Sequence, residues 1–174
     1  SLNGDSSLYS ALKNIDLSKY DSLVVGPGIG IANDDWQKAE DYLMGFEGLL
    51  ILDADALNRI SKSKLGSKFF LERKFKTWIT PHSKEFFRLF PHLKSETNVE
   101  LALTAAKEFD ISVLLKGANS VVADKNKAWQ LYGADAQTAR AGLGDLLFGF
   151  VAGSSAIDLT FSRNIKTDFF AKYV

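Results

Sequence analysis

The residues best suited to chemistry lie at Ala141-Gly142-Leu143-Gly144-Asp145, immediately before the apolar run 146–153. That order places two glycines at the N-terminus of a predicted helix. Free N–H groups point outward there, the helix dipole adds partial positive charge, and glycine lets a phosphate approach the backbone closely. Asp145, in the first turn, could accept a proton from an attacking hydroxyl while the turn holds the charge of a transferring phosphoryl group. Gly149 and Gly153, further along the same run, suggest that another backbone packs against this helix. Taken alone, the stretch reads more readily as a glycine-rich loop with Asp145 as an ordinary N-terminal charge.

Four other stretches carry candidate groups. Gly26-Pro27-Gly28-Ile29-Gly30 follows an apolar run and precedes a helical one. It imitates a dinucleotide fingerprint, but Ile31 or Asn33 stands where the third glycine belongs, and Pro27 removes a donor. A tight strand-to-helix turn and a ligand contact are equally compatible with it. Asp53 and Asp55 could bind Mg²⁺ or turn the chain and cap residues 55–60, the second being the simpler reading. His82 and Glu85 leave a predicted strand end and suit a pocket or the start of a helix. Lys116-Gly117-Ala118-Asn119-Ser120 offers a cation and a glycine to a phosphate or an adenine edge; it equally suits the approach to a hairpin.

These groups need a scaffold, and the chain alternates short apolar runs with helical patterns, as a layered α/β domain does. Buried strands are predicted at 22–26, 49–52, 77–80 and 112–115, with a hairpin of 120–123 and 128–132 across 124–127. Helices are predicted after Ser6 or Ser7 (Leu8, Leu12 and Ile15 inward), from Asn33 to Met44, over 63–73, after Ser83, and over 97–109 behind a Thr97 cap with Glu100 three residues on. Another begins at Asp145, and the start of a last one lies at 167–174. Phe69, Phe70, Phe86 and Phe87 are read as core. Strands separated by helices favour parallel pairing, with ligands beyond the carboxyl ends of the strands. The polar punctuation falls at those ends, so it is expected to form one site.

Composition narrows the classes. Lys+Arg and Asp+Glu both total 21, and without a basic stripe the chain is not expected to bind nucleic acid. With no cysteine and two histidines, His82 and His92, neither disulfides, thiolate zinc, a cysteine nucleophile nor a multi-histidine metal site is available. The absence of cysteine fits a cytoplasmic setting. No apolar run approaches the roughly 20 residues of a membrane span, and the start has no signal-peptide pattern.

Five blocks in one order, Val24-Val25-Gly26-Pro27-Gly28-Ile29-Gly30, Leu52 to Asn58, Ile79 to Phe86, Leu115 to Ser120 and Ala141 to Asp145, closely resemble the ATP/ADP-dependent NAD(P)H-hydrate dehydratases. The resemblance spans residues 21 to about 153 and implies a ribokinase-like α/β fold with a mainly parallel central sheet flanked by helices. It implies that residues 1–174 are the latter part of a larger domain, shortened at both ends. By the same resemblance Gly28, Gly30, His82, Glu85 and Asp145 would line the pocket for the NAD(P)H hydrate. Lys116, Gly117, Ala118, Asn119 and Ser120 would meet the adenosine side of ADP or ATP. Ala139, Arg140, Ala141, Gly142, Leu143 and Gly144 would wrap its phosphates, and Asp145 would be the catalytic base. Mg²⁺ would bridge the phosphates, with no protein metal ligands assigned. A fused or separate epimerase domain and a homo-oligomer are the expected partners. Family members usually carry Thr at the positions of Leu143 and Ser120, a small residue or Thr at Arg140 and Gly at Lys84. The alternatives are a vitamin-precursor or sugar kinase of the same fold, and a catalytically inactive nucleotide-binding fragment.

Overall fold

The computed structural model describes residues 7–30 and 35–130. Six strands form one sheet in chain order: β1 (Ser22–Val25), β2 (Leu49–Leu52), β3 (Thr77–Ile79), β4 (Ser112–Leu115), β5 (Val121–Ala123) and β6 (Ala128–Gln130). β1 to β4 pair in parallel, in registers such as Val24 with Ile51 and Leu52 with Ile79. β4, β5 and β6 pair antiparallel. The helices are α1 (Leu8–Leu12), α2 (Trp36–Gly45), α3 (Ala54–Lys62), α4 (Lys68–Glu72), α5 (Ser83–Leu89) and α6 (Asn98–Phe109), with a 3₁₀ turn at Leu17–Lys19.

 
Successive parallel strands are added in one direction, and crossovers in such sheets share one hand, so the connecting helices must lie on the same face. All six α-helices among the described residues contribute to a single core cluster with Val25, Leu50, Leu52, Ile79, Val113 and Leu115. The alternate strand residues Leu49, Ile51, Trp78, Leu114 and Val122 form a second cluster on the other face, as the two-residue period of a strand requires.

Helix boundaries differ from the sequence expectations for local reasons. Ser7 caps α1 by accepting from the Ser10 N–H, but the helix ends at Leu12, leaving Ile15 outside it and 43% exposed. The helix expected over 63–73 is confined to Lys68–Glu72. Gly66 ahead of it adopts φ +54, and Ser63 Oγ accepts from the Gly66 N–H to form a turn instead. On α5 the positions of Phe86, Leu89 and Phe90 share the buried face, which turns Phe87 outward, 45% exposed. Thr97 caps α6 through the Glu100 N–H at 3.2 Å, but the Glu100 carboxylate turns to the Ser95 hydroxyl. The Asn33 cap, the end of the hairpin beyond Gln130, and the helices from Asp145 and 167 lie outside the described residues.

One buried cation ties the base of this layer together. Arg73 donates from Nη1 to the carbonyls of Leu43 and Met44 (2.7 and 3.1 Å), from Nη2 to that of Gly48 (2.8 Å), and from Nε to Thr77 Oγ1 (3.1 Å). It thereby satisfies carbonyls that the end of α2 leaves without intrahelical partners. Burial pushes its pKa down to about 10, so it stays charged at neutral pH.

Candidate active site

The loops leaving β1, β2, β3 and β4 meet at the carboxyl edge of the sheet. The chain leaves β1 through Gly26, whose φ is +145 and where a Cβ would stand 1.8 Å from the Asp53 carbonyl oxygen. Only glycine permits that approach, which is set by the Asp53 N–H bond to the Val25 carbonyl (3.1 Å). No described residue beyond the flanking ones would crowd a Cβ at Gly28 or Gly30, but their φ values of +70 and +72 favour glycine for conformation.

Neither aspartate side chain caps α3; each is engaged by a neighbouring loop. Asp53 occupies the N-cap position without a side-chain cap bond. Its Oδ1 instead accepts from Lys116 Nζ at 2.7 Å, with side chains 7% and 34% exposed respectively. Asp55 Oδ2 accepts from the Gly30 N–H at 3.0 Å. This corrects the expectation that the pair serves to cap residues 55–60: each carboxylate instead holds a neighbouring loop. Between them Ala54 adopts φ +44, an uncommon conformation for a residue with a Cβ. Among the described residues, no three histidine or carboxylate side chains gather as a metal site.

His82, rather than Ser83, is the N-cap of α5. Its Nδ1 accepts from the N–H groups of Lys84 (3.1 Å) and Glu85 (3.4 Å), and Glu85 Oε2 accepts from the His82 N–H at 2.9 Å. With Nδ1 accepting, a neutral ring carries its proton on Nε2, which lies 3.4 Å from Glu85 Oε1. Glu85 is buried in this capping box, whereas the His82 side chain is 51% exposed. Of the two, the imidazole is the more exposed group. A parallel bridge joins His82 to Lys116, and the Lys116 N–H donates to the Pro81 carbonyl at 2.8 Å. The loops after β3 and β4 are therefore fastened together.

Residues 116–120 divide in two. Lys116 faces Asp53, and Ser120 closes the loop by donating to the Gly117 carbonyl at 3.1 Å. Ala118 and Asn119 line an open cleft of about 480 Å³ with Thr97, Asn98 and Gln130. A cleft of about 550 Å³ opens beside Arg73, Lys76 and Ser112, at the opposite end of the strands. It has none of the glycine turns and is not the candidate site. The remaining predicted residues, Ala139, Arg140, Ala141, Gly142, Leu143, Gly144 and Asp145, lie outside the described residues.

Sequence reasoning missed Arg59. Its Nε donates to the Gly30 carbonyl at 2.6 Å, its Nη2 lies 3.5 Å from the Ile29 carbonyl, and its guanidinium sits 5.2 Å from the Trp36 ring centre. The available signal was its place four residues after Asp55 on one helix, which puts both side chains on the same face.

Comparison with known proteins extends this geometry. Residues 4–166 match the NAD(P)H-hydrate dehydratase family. The bifunctional NAD(P)H-hydrate repair enzyme Nnr of Synechocystis is 35% identical over 83% of this chain and 27% of its own length. That of Gloeobacter violaceus is 37% identical over 80% and 27%. This chain thus spans about a quarter of the length of those relatives. The ADP/ATP-dependent NAD(P)H-hydrate dehydratase of Bacillus subtilis, crystallised with ATP and Mg²⁺, superposes with a TM-score of 0.65 at 25% identity, over 85% of this chain and 52% of that one. A ribokinase from Thermotoga maritima, at 16% identity and a TM-score of 0.51 over 87% of this chain and 48% of that one, shares the fold. With the family matched along nearly the whole sequence, the chain belongs to the NAD(P)H-hydrate dehydratases and has their ribokinase-like α/β fold.

Proposed function

We propose that the protein restores NADH or NADPH from the hydrated dinucleotide, using ADP or ATP as phosphoryl donor. The observation that carries this reading is the family match over residues 4–166, which includes every loop gathered at the sheet's carboxyl edge. Hydroxide leaves the hydrated ring poorly, and phosphate leaves well. Asp145 takes the proton of the ring hydroxyl as that oxygen attacks the terminal phosphorus and the bond to the donor's bridging oxygen breaks. The ring nitrogen's lone pair then expels phosphate, and loss of a ring proton completes the dihydronicotinamide.

In this reading the turn of residues 26–30 and the His82 imidazole face the dinucleotide. Ala118 and Asn119 face the adenosine of the donor, and residues 139–144 hold its phosphates. Mg²⁺ neutralises phosphate charge when it accompanies the nucleotide. Asp53 and Asp55 are committed to Lys116 and Gly30, which favours a metal carried by the phosphates over one held by those carboxylates. That the relatives are bifunctional repair enzymes supports a second activity beside this one, an epimerase in the same chain or a separate one. A cytoplasmic setting and a homo-oligomer complete the proposal. No helix among the described residues is long and apolar enough to cross a membrane.

The test is direct. The full-length protein, given hydrated NADPH, Mg²⁺ and either ADP or ATP, should regenerate the absorbance of the reduced nicotinamide and release inorganic phosphate in equal amount. A stable phosphorylated product would point to a kinase. Folded protein that binds nucleotide without turnover would point to an inactive nucleotide-binding domain.

A further inference from the structure

The glycine turn after β1 is closed internally by one long backbone bond, from the Ile29 N–H to the Gly26 carbonyl at 3.4 Å. Gly28 and Gly30 both adopt positive φ, and among the described residues nothing beyond the flanking ones lies within 4 Å of where either would carry a Cβ. Glycine has the largest backbone freedom to lose on ordering, so such a turn samples other conformations unless something outside it fixes the peptide groups. Here α3 supplies the fixing groups. The Asp55 carboxylate takes the Gly30 N–H and the Arg59 guanidinium takes the Gly30 carbonyl, so one residue is gripped from both sides. Arg59 is itself 7% exposed, and the Trp36 ring lies 5.2 Å from its guanidinium.

We propose that Arg59 is a positioning residue for the dinucleotide substrate: held against Trp36, it fixes the Ile29–Gly30 backbone in the conformation that receives the hydrated nicotinamide dinucleotide. The inference rests on the function proposed above. Arg59 acts through the turn and touches no substrate. When a binding-competent conformation is only partly populated, apparent affinity falls by that fraction. Loss of the clamp therefore weakens the dinucleotide and spares both the nucleotide and the chemical step. The guanidinium's fork reaches two carbonyls, which a lysine ammonium cannot do in the same geometry.

The experiment compares the full-length protein with Arg59→Ala and Arg59→Lys. Expected for Arg59→Ala is a rise of about tenfold in KM for the hydrate, corresponding to about 1.4 kcal/mol. The kcat and the KM for ADP or ATP should stay within about twofold, with Arg59→Lys intermediate. Amide hydrogen exchange should quicken at Gly30, with the strands unchanged. An unchanged hydrate KM, or equal losses for hydrate and nucleotide, overturns the proposal. So does unchanged exchange at Gly30. If Arg59→Ala does not fold, Arg59→Lys and Trp36→Phe are judged by the same ratio of hydrate KM to nucleotide KM. An inactive wild-type protein overturns the proposed function; an active one with an unaltered ratio in the variants overturns only the role of Arg59.

Discussion

Asp145 and Lys116 are both polar residues beside a glycine, yet they call for different experiments. Asp145→Asn should lower turnover by about 10²- to 10⁴-fold, the usual range for a general base, while nucleotide affinity measured by titration changes little. Equal loss of both would contradict its assignment as base. Lys116 is bound to the nearly buried Asp53, so Lys116→Met strips a carboxylate of its partner. Destabilisation of about 2 kcal/mol in urea unfolding is expected, at the scale of a hydrogen bond to a charged group. A loss of nucleotide affinity without that destabilisation would make Lys116 chiefly a ligand contact. Gly26→Ala is the severest of these changes, because its Cβ would fall 1.8 Å from the Asp53 carbonyl oxygen. At least about 3 kcal/mol should be lost, read as a fall in the urea midpoint or in soluble yield. Val25 and Gly26 were legible as a strand running into a turn, but the obstacle to a side chain comes from Asp53, just past β2, which no local pattern contains.

At the scale of elements, α2 carries an acid that its surroundings do not welcome. Glu40 is fully buried, and neither carboxylate oxygen has a hydrogen-bond partner within the described residues. Burial chiefly, with the charges of Asp41 and Glu72 adding, raises its pKa above the ordinary 4.5, and the nearby Ser63 and Trp36 side chains offset part of the effect. The sign follows from the proton count. Below 4.5 the group is neutral in folded and unfolded chains alike, and its burial carries no charge penalty. As pH rises, the unfolded chain releases the proton first, so stability falls until the folded value has been passed. Glu40→Gln should therefore be more stable than wild type at pH 8, with the advantage gone at pH 4, as read by urea unfolding at both. An advantage independent of pH would exclude ionisation as its cause. The helix itself was legible from its apolar spacing, whereas Glu40 looks like any helix acid until the fold places it inside.

Across the molecule, four parallel strands in sequence order bring their carboxyl-terminal loops to one edge, and the bonds Gly30–Asp55, Asp53–Lys116 and Pro81–Lys116 join those loops. A ligand that binds only when these loops are together must stabilise the fold by linkage. ADP or ATP with Mg²⁺, at about 100 times its Kd, should add roughly 2.7 kcal/mol to the stability of the full-length protein, seen as a rise in Tm. The Asp145→Asn variant should show the same rise, because it keeps the binding surface. Absence of any shift in wild type at saturating nucleotide would count against a nucleotide site on this edge.

Residue order alone determined that strands and helices alternate, that glycines and charges fall at strand ends, and which family the five blocks resemble. Those properties are local: apolar period, turn chemistry and block spacing survive in one dimension. Only the tertiary structure decided that Asp53 faces Lys116, that Asp55 and Arg59 grip Gly30, and that Glu85 closes a capping box while His82 remains exposed. Each of these depends on which loops the strand order brings into hydrogen-bonding range, and the Asp53–Lys116 pair joins residues 63 positions apart. The chemistry of a carboxylate or a guanidinium is written in its residue type; its partner is assigned by the fold.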